Sequence, residues 1–346
     1  MTVRCLSFHA GYRCGRSGAC CTSNWPIPIE ADRLIALQGA IATGALTPAA
    51  ADTNWMTTPA DAPEDAPALL GVRHSRCVFF DEAGGRACRI HASLGHEALP
   101  LACRQFPRIV VRDPRGISVT LSHYCPTAAS LLDGGAPVTI VDGPPAFPPR
   151  GDYEGLDAST ALPPLLRPDM LMDWASWWRW EAESVSLLTT GDEPAAMKLG
   201  RLREAVDRVR DWRPSCRPRE PLIGRAFETA RRTRVELFNP DREEVTRRLA
   251  EIDDAIPSDL RPEPVALDAF ERGWRDPPHA DRFLAAHAFA NWIAHLGEGL
   301  DAWLRSIEAA YVCLRTGMDV RQADLRLRHL ANPNRLAHTW SHPLSP

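Results

Sequence analysis

The chain has 346 residues, and its apolar fraction of 45% and charged fraction of 24% are those of a folded globular protein. This length exceeds what one hydrophobic core usually organises, so we expect two domains, or one domain with an appendage. A net charge of −4 argues against the basic surface that nucleic-acid binding requires, and we expect no nucleic-acid partner.

The amino-terminal residues and the apolar segments predict a cytoplasmic protein without membrane contact. Residues 1–9 lack the charged start and the apolar run of a secretory signal. The most apolar segment, residues 284–296, is too short to span a membrane and contains His287, Asn291 and His295. In the reducing cytoplasm, clustered cysteines indicate metal binding or catalysis more often than disulfide bonds.

The first 132 residues predict short and irregular elements. Residues 1–24 predict a loop, a helix follows from about Pro28 to Gly39, and residues 43–70 are mostly an exposed connection. A short strand is predicted at residues 77–80. Residues 108–112 and 117–121 predict a hairpin, because the segment between them supplies the proline and glycine of a turn. Folding about this turn would bring Cys103 opposite Cys125.

The second half of the chain predicts helices. A linker rich in proline and glycine covers residues 133–168, and apolar residues then recur at helical spacing over residues 169–189 and again after Gly191. Further helices are predicted at about residues 222–237, 241–256, 264–272, 280–296, 299–316 and 319–331. The predicted fold class is mainly α, with a small irregular α+β cysteine-cluster metal module at residues 1–132 and an all-α helical domain at residues 169–346.

Eight of the ten cysteines lie between Cys5 and Cys125, and this crowding predicts a metal site. The closely paired cysteines of structural zinc sites are missing, so singly placed thiolates favour an iron–sulfur cluster of the [4Fe–4S] type. Zinc stays open, with a histidine completing the site: His91, His96 or His123. Such a cluster needs only four of the candidate ligands, which are Cys14, Cys20, Cys21, Cys77, Cys88, Cys103 and Cys125.

The remaining cysteines receive separate interpretations. Cys5 lies upstream of the crowded stretch and is left undecided as a ligand. Cys216 and Cys313 are interpreted as buried free thiols that behave as small apolar residues. The second of these lies inside an apolar helical segment, Ala-Ala-Tyr-Val-Cys-Leu.

Four blocks of residues carry a resemblance to a known family. They are Cys14…Cys20-Cys21 before an Ile-Pro-Ile-Glu segment, Cys77-Val-Phe-Phe-Asp with Cys88-Arg-Ile-His, Pro100-Leu-Ala-Cys-Arg-Gln-Phe-Pro107, and Tyr124-Cys-Pro126. In order, approximate spacing and flanking residues, they resemble the zinc- or iron-chelating cysteine-cluster family, often called the CxxCxxCC family, over roughly residues 5–130. Departures are His91 where the family has Tyr, Leu99 where it has Arg, and altered spacings after Cys14 and Cys88.

The resemblance also implies a possible activity. Flagellin lysine N-methylases carry a similar cluster ahead of a helical region, so the alternative function is S-adenosylmethionine-dependent methylation of a lysine on a protein such as flagellin. The chain lacks the glycine-rich strand-to-helix turn that commonly binds this cofactor, and the catalytic residues are left unassigned. A third alternative is a structural zinc module that presents the helical domain to a partner protein.

Outside the cysteines, Arg104 is the candidate cofactor-binding residue. A guanidinium beside a thiolate would stabilise it, and arginine also binds carboxylates through two hydrogen bonds. The tryptophans at positions 174, 177 and 178 share one helical face and predict core packing, whereas Trp180 is expected to point elsewhere. His287 and His295 are interpreted as core histidines, because no acid or cysteine is evidently paired with them.

Overall fold

The computed structural model of the chain describes residues 2–23, 26–49, 54–60, 62–82, 85, 87–213, 219–256, 261, 263–265, 267 and 276–331. Helices make up 46% and strands 14%, so the fold is mixed α+β with helix in excess. Within these residues, no helix combines the length and the apolar character needed to cross a membrane. The interpretation of Cys216 and most of the helix predicted at residues 264–272 lie outside the described residues.

The strands precede the long helices. They are β1 (Val3–Leu6), β2 (Pro28–Ile29), β3 (Met56–Thr57), β4 (Ala68–Leu70), β5 (Val72–Arg73), β6 (Arg76–Cys77), β7 (Phe80–Asp81), β8 (Ala87–Cys88), β9 (Arg108–Asp113), β10 (Gly116–Leu121), β11 (Ile140–Asp142), β12 (Leu156–Asp157), β13 (Leu165–Arg167) and β14 (Met170–Leu171). The largest sheet has the order β11-β1-β10-β9-β12, and a smaller one has the order β2-β4-β3. The short strand predicted at residues 77–80 is divided between β6 and β7.

The helices fall into two groups along the chain. In the described part of residues 1–132 they are α1 (Ala19–Thr22), α2 (Ala31–Ala42), α3 (Arg89–Leu94), α4 (Leu101–Gln105) and α5 (Pro126–Ser130), of which only α2 has three turns. The others are α6 (Trp174–Thr189), α7 (Ala195–Arg210), α8 (Arg219–Arg232), α9 (Arg242–Asp254), α10 (Ala280–Ala288), α11 (Leu300–Arg315) and α12 (Val320–Leu327). The helix predicted at residues 280–296 stops early, since Ala290 adopts a left-handed conformation with φ of 52°.

The predicted hairpin is confirmed and forms the centre of the largest sheet. Strands β9 and β10 pair antiparallel, with Gly116 opposite Asp113 and Leu121 opposite Arg108. Gly116 has φ of 132°, and a Cβ there would lie 2.2 Å from the carbonyl oxygen of Thr2. Only glycine fits this position, where the parallel strand β1 passes the turn.

The segment predicted as a linker, residues 133–168, also contributes to the sheets. Strand β11 pairs antiparallel with β1, and β12 pairs parallel with β9, so this segment supplies both edges of the largest sheet. Its third strand, β13, pairs with β14 just before α6. The segment is therefore ordered along part of its length and connects the sheet to the long helices.

Buried side chains form three clusters that differ in composition. The largest is built by α6 to α12 and also includes Leu6 and Val111 from the central sheet. A second, smaller cluster gathers Ile29, Phe79 and Ile90 with five of the ten cysteines. The third lies on the sheet around Val119. The sheet therefore contacts both the helical core and its own smaller core.

The position of Trp180 differs from the sequence-based expectation. It was expected to point away from the core, but it is fully buried, and its ring centroid lies 4.8 Å from that of Phe227 and 5.7 Å from that of Trp303. Positions 177, 180, 184 and 188 are all buried, which places them on one face of α6. The tryptophan run therefore covers a wider arc of this helix than its first three members suggested, with Trp174 and Trp178 half-buried at its edge.

Candidate metal centre

Five of the seven predicted cysteine ligands pack together in the second buried cluster. They are supplied by four short elements: Cys20 and Cys21 by α1, Cys77 by the end of β6, Cys88 by the position before α3, and Cys103 by α4. Elements this short have little stability of their own, so their arrangement depends on what packs between them. The structure thus brings together cysteines separated by more than 80 positions along the chain.

The Cys21 thiol lies at the centre of this group. It is within hydrogen-bonding range of three other sulfurs, those of Cys20, Cys77 and Cys88. These contacts, together with burial, raise the pKa of Cys21 above its ordinary value. The same contact has the opposite effect on the acceptor, since a hydrogen bond from Cys21 lowers the pKa of Cys20 despite burial. The Cys21 thiol therefore holds its proton, while the Cys20 thiol loses its proton more easily.

Cys88 has the clearest thiolate character. A hydrogen bond from the Cys21 thiol lowers the pKa of Cys88 to about 7, although burial opposes the shift. Backbone N–H groups of Ile90 and His91, in the first turn of α3, also donate to this sulfur. Donors at the start of a helix favour a negative charge, so the chain's own backbone prepares Cys88 to act as a thiolate ligand.

Cys103 faces the same group from the other side. Burial raises the pKa of Cys103 well above its ordinary value, and the charges of Cys20, Cys77 and Cys88 raise it further. Its helix, α4, is attached to the preceding segment by Glu30, whose carboxylate accepts a hydrogen bond of 2.9 Å from the backbone N–H of Leu101. Glu30 thus caps α4 and helps to position Cys103.

The other two predicted ligands lie in a different environment. Cys125 packs in the third buried cluster, where its sulfur lies 3.8 Å from the hydroxyl of Tyr12. Cys14 is exposed, yet its charge contributes, after burial and Cys125, to raising the pKa of Tyr12. Cys103 and Cys125, expected to be opposite each other, belong to separate buried clusters.

The two groups of cysteines are connected by hydrogen bonds next to them. The hydroxyl of Tyr124, which precedes Cys125, donates a hydrogen bond of 2.7 Å to the carbonyl oxygen of Thr22, which follows Cys21. Cys5 belongs to neither group: it is fully buried in β1, and burial raises its pKa to about 12. Cys313 is fully buried in α11, as predicted.

The thiol contacts are not a finished coordination shell. Among the described residues, no three His, Cys, Asp or Glu side chains are arranged as they would be around a single metal ion. The donor set nevertheless has the chemistry of a soft-metal site: five thiols face one another in an apolar cluster, and two have a lowered pKa. Cysteine-rich donors of this kind suit zinc or an iron–sulfur cluster.

Arg104, the candidate cofactor-binding residue, contacts two carboxylates. Its guanidinium lies 3.0 Å from Asp152 and 3.6 Å from Glu97, and its role toward a cofactor stays a prediction. The charge of Arg108, four residues later, opposes the raised pKa of Tyr12, whose hydroxyl lies 3.8 Å from the Cys125 sulfur. The two arginines lie on different elements, because α4 ends between them and the chain enters β9.

Sequence reasoning missed a buried group of histidines beside the hairpin. His9 and His123 approach to 3.3 Å through their Nε2 atoms, and the carboxylate of Asp324 lies 3.7 Å from His123 and 3.8 Å from His287. Burial raises the pKa of Asp324, but its contacts with His123 and His287 outweigh this and lower it. His287 therefore does have an acidic partner, contrary to its sequence-based interpretation.

One signal in the sequence could have pointed to this group. On α12 the buried positions include Val320, Ala323 and Leu327, and Asp324 lies among them as a carboxylate on an apolar face. A buried acid requires partners, which here are Ser122, the backbone N–H of Tyr124 and the two histidines. Of the histidines proposed to complete a zinc site, His123 belongs to this group, and His91 and His96 pack against each other with ring centroids 5.8 Å apart.

We compared the chain with protein-family models, curated proteins and solved structures. No match was found in any of the three. The similarity to the cysteine-cluster family therefore depends on the motifs themselves, and the functional argument depends on the residues that the structure brings together.

Proposed function

We propose that this protein is a cysteine-ligated metalloprotein and that its centre is an iron–sulfur cluster of the [4Fe–4S] type. The observation that carries the proposal is the packing of five cysteines in one buried cluster, where the Cys21 thiol is within hydrogen-bonding range of three other sulfurs. The five are Cys20, Cys21, Cys77, Cys88 and Cys103. We further propose that residues 1–132 form the metal module and that residues 169–346 form a helical domain attached to it.

The electrostatics of the thiol group support a bound cation. Three neighbouring sulfurs act as charges that raise the pKa of Cys103, and burial adds to this cost. In an apolar environment several thiolates repel one another and lose hydration, so they coexist only with a compensating positive charge. A metal centre supplies that charge, and its binding energy would then contribute to the folding of the short elements around it.

An iron–sulfur cluster is favoured over zinc by the number and origin of the donors. A cluster needs four cysteines and accepts them from scattered positions, whereas structural zinc sites draw on closely spaced pairs. The five thiols of this chain come from four separate elements, and only Cys20 and Cys21 are close in sequence. A fifth thiol beyond the four ligands would be the proton donor within the group.

Anaerobic purification tests the proposal. A brown protein with about four iron and four sulfide per chain is expected for a [4Fe–4S] centre. A colourless protein with one zinc would replace the cluster by the structural zinc module. A protein with neither iron nor zinc would contradict the metal centre altogether.

Cysteine variants locate the ligands. We expect Cys88→Ser and Cys103→Ser to lose most of the bound metal, because each removes a thiol from the contacting group. Cys313→Ser is the matched control, since this thiol is fully buried but lies in the helical core, and it should retain its metal. Equal metal content in all three proteins would show that the grouped thiols are not ligands.

The same preparation separates the methylase alternative. A methylase that uses S-adenosylmethionine should bind this compound in equilibrium dialysis, and should do so only with an intact centre if the cluster holds the cofactor. Metal-replete protein without binding would leave the metal centre in place and remove the methylase. The two outcomes are independent, so metal content and cofactor binding are measured separately.

A further inference from the structure

A cavity of about 520 Å³ lies between the hairpin and the helical domain. Its walls come from α4, the β9–β10 hairpin, α10 and α12, and these are fixed to one another by hydrogen bonds. Thr120 donates to the carbonyl oxygen of Ala286 at 3.2 Å, and Trp292 donates to that of Val110 at 3.0 Å. A space of this size matches the volume of sites that bind small molecules.

Most of the cavity wall is apolar. Phe106, Leu121, Phe289, Ile293 and Leu327 contribute apolar side chains, and polar or charged residues complete the lining. Apolar walls with a small number of polar groups are the usual composition of a ligand site, because the walls provide affinity and the polar groups fix the orientation.

Several buried polar atoms of the lining have no hydrogen-bond partner. They include Oε1 of Gln105, a residue that is 5% exposed, and Nε2 of His287. A carbonyl oxygen can only accept, and a buried acceptor without a donor costs free energy. A ligand carrying a hydroxyl or amine could satisfy either atom.

Arg108 supplies a charge to the same lining. Its guanidinium lies 5.8 Å from the ring centroids of both Phe147 and Tyr153, and it forms no ion pair with a carboxylate in the described part of the chain. The arginines on either side differ, since Arg104 pairs with Asp152 and Arg112 pairs with Asp157.

Two of the other charges in the lining interact with each other. Asp324 accepts hydrogen bonds from Ser122 and from the backbone N–H of Tyr124. Arg328 lies close enough to Asp324 for their charges to interact, and it donates to the carbonyl oxygen of Ser23. Glu154 also lies in the lining, and burial raises its pKa. Arg108 is therefore the cation of the lining that is left without a carboxylate partner among the described residues.

We propose that this cavity binds a small organic carboxylate with an apolar body and a hydrogen-bond donor, and that Arg108 holds the carboxylate. An arginine binds a carboxylate through two parallel hydrogen bonds, and the apolar lining strengthens them by excluding water. The hydroxyl or amine of the ligand would donate to Gln105 or His287. This site goes beyond the proposed metal centre, because none of its residues is a cysteine.

Calorimetric titration of the full-length protein with three matched compounds tests the proposal. The probe is 3-(4-hydroxyphenyl)propionate, and the comparison compounds are its primary amide and 3-phenylpropionate. We expect the probe to bind saturably and the amide about tenfold or more weaker, because a charge-assisted hydrogen bond is lost. Removing the hydroxyl should weaken binding about three- to tenfold.

Arginine variants identify the group that holds the carboxylate. In Arg108→Gln the preference for the acid over the amide should disappear, while Arg108→Lys should keep part of it. Arg112→Gln, on the same strand but paired with Asp157, is the control and should bind all three compounds as the parent does.

Three results would overturn the proposal. They are no saturable binding of the probe up to about 10 mM, equal binding of the acid and the amide by the parent protein, and an acid preference that survives in Arg108→Gln. The comparison of acid and amide needs no variant, so it decides the matter even where a substitution fails to fold. Metal content is measured on the same samples, so failure of this site is distinguishable from failure of the metal centre.

Discussion

The thiol cluster, formed by Cys20, Cys21, Cys77, Cys88 and Cys103, and the core of the long helices are stabilised in different ways. The helical core is built from helices of 8 to 16 residues whose apolar faces meet around Trp177, Trp180 and Trp303. The thiol cluster is surrounded by elements of two to six residues and by one helix of 12. Burial of apolar area favours the folding of the first, whereas the second brings together groups that repel one another when ionised. With the proposed metal centre, we therefore expect the stability of the thiol cluster to depend on bound metal and that of the helical core not to depend on it.

Metal removal is expected to have the largest effect and to separate the two regions. After chelation under reducing conditions, hydrogen exchange at α3 and α4 should accelerate by about a hundredfold or more, because their ordering includes the energy of metal binding. Exchange in α11 should change little, since this helix is almost entirely buried in the helical core. Equal acceleration in α11 would show that the two regions unfold as one unit.

The helical half could be predicted from sequence because its signal is local. Apolar residues recur at helical spacing in α6, α7 and α11, and each predicted helix overlaps the observed one. The hairpin was equally accessible, since Asp113 and Gly116 define its turn. For the first half, the sequence supplied the seven candidate cysteine ligands. It did not indicate that five of them pack in one cluster and two in a different environment.

Which residues come together in the folded chain depends on tertiary contacts, and residue spacing in the sequence does not reveal those contacts. Cys103 and Cys125 flank the hairpin at similar distances in sequence, yet they pack in different buried clusters. Asp324 and His123 are 201 positions apart, and no local pattern connects them. Arg104 was predicted to bind a cofactor, and the carboxylates that it contacts in the structure belong to the chain itself.

Substitution of Trp180 tests whether the stability of the helical core is independent of the metal centre. We expect Trp180→Ala to lower the free energy of unfolding by about 3–5 kcal/mol, because a fully buried indole is removed and a cavity is left. Trp174→Ala is the matched control on the same helix, since that side chain is only half-buried, and it should cost clearly less. Urea unfolding followed by circular dichroism gives both values. If Trp180→Ala also lost bound metal, the two regions would not be independent.

The smallest expected effect concerns pH and the boundary between the regions. Burial lowers the pKa of His287 to about 4, with Asp324 opposing the shift, while an unfolded histidine titrates near its ordinary value of 6.5. As pH falls below about 6.5, the unfolded chain binds this proton first. The free energy of unfolding should therefore decrease until about pH 4 and then level, by at most about 3 kcal/mol from this residue.

In His287→Gln this part of the pH dependence should vanish, whereas His74→Gln, an exposed control, should keep it. An unchanged slope in His287→Gln would mean that the proton is bound elsewhere. If removal of the metal also abolished this pH dependence of the free energy of unfolding, the environment of His287, which contacts Asp324 beside the hairpin, would depend on the thiol cluster.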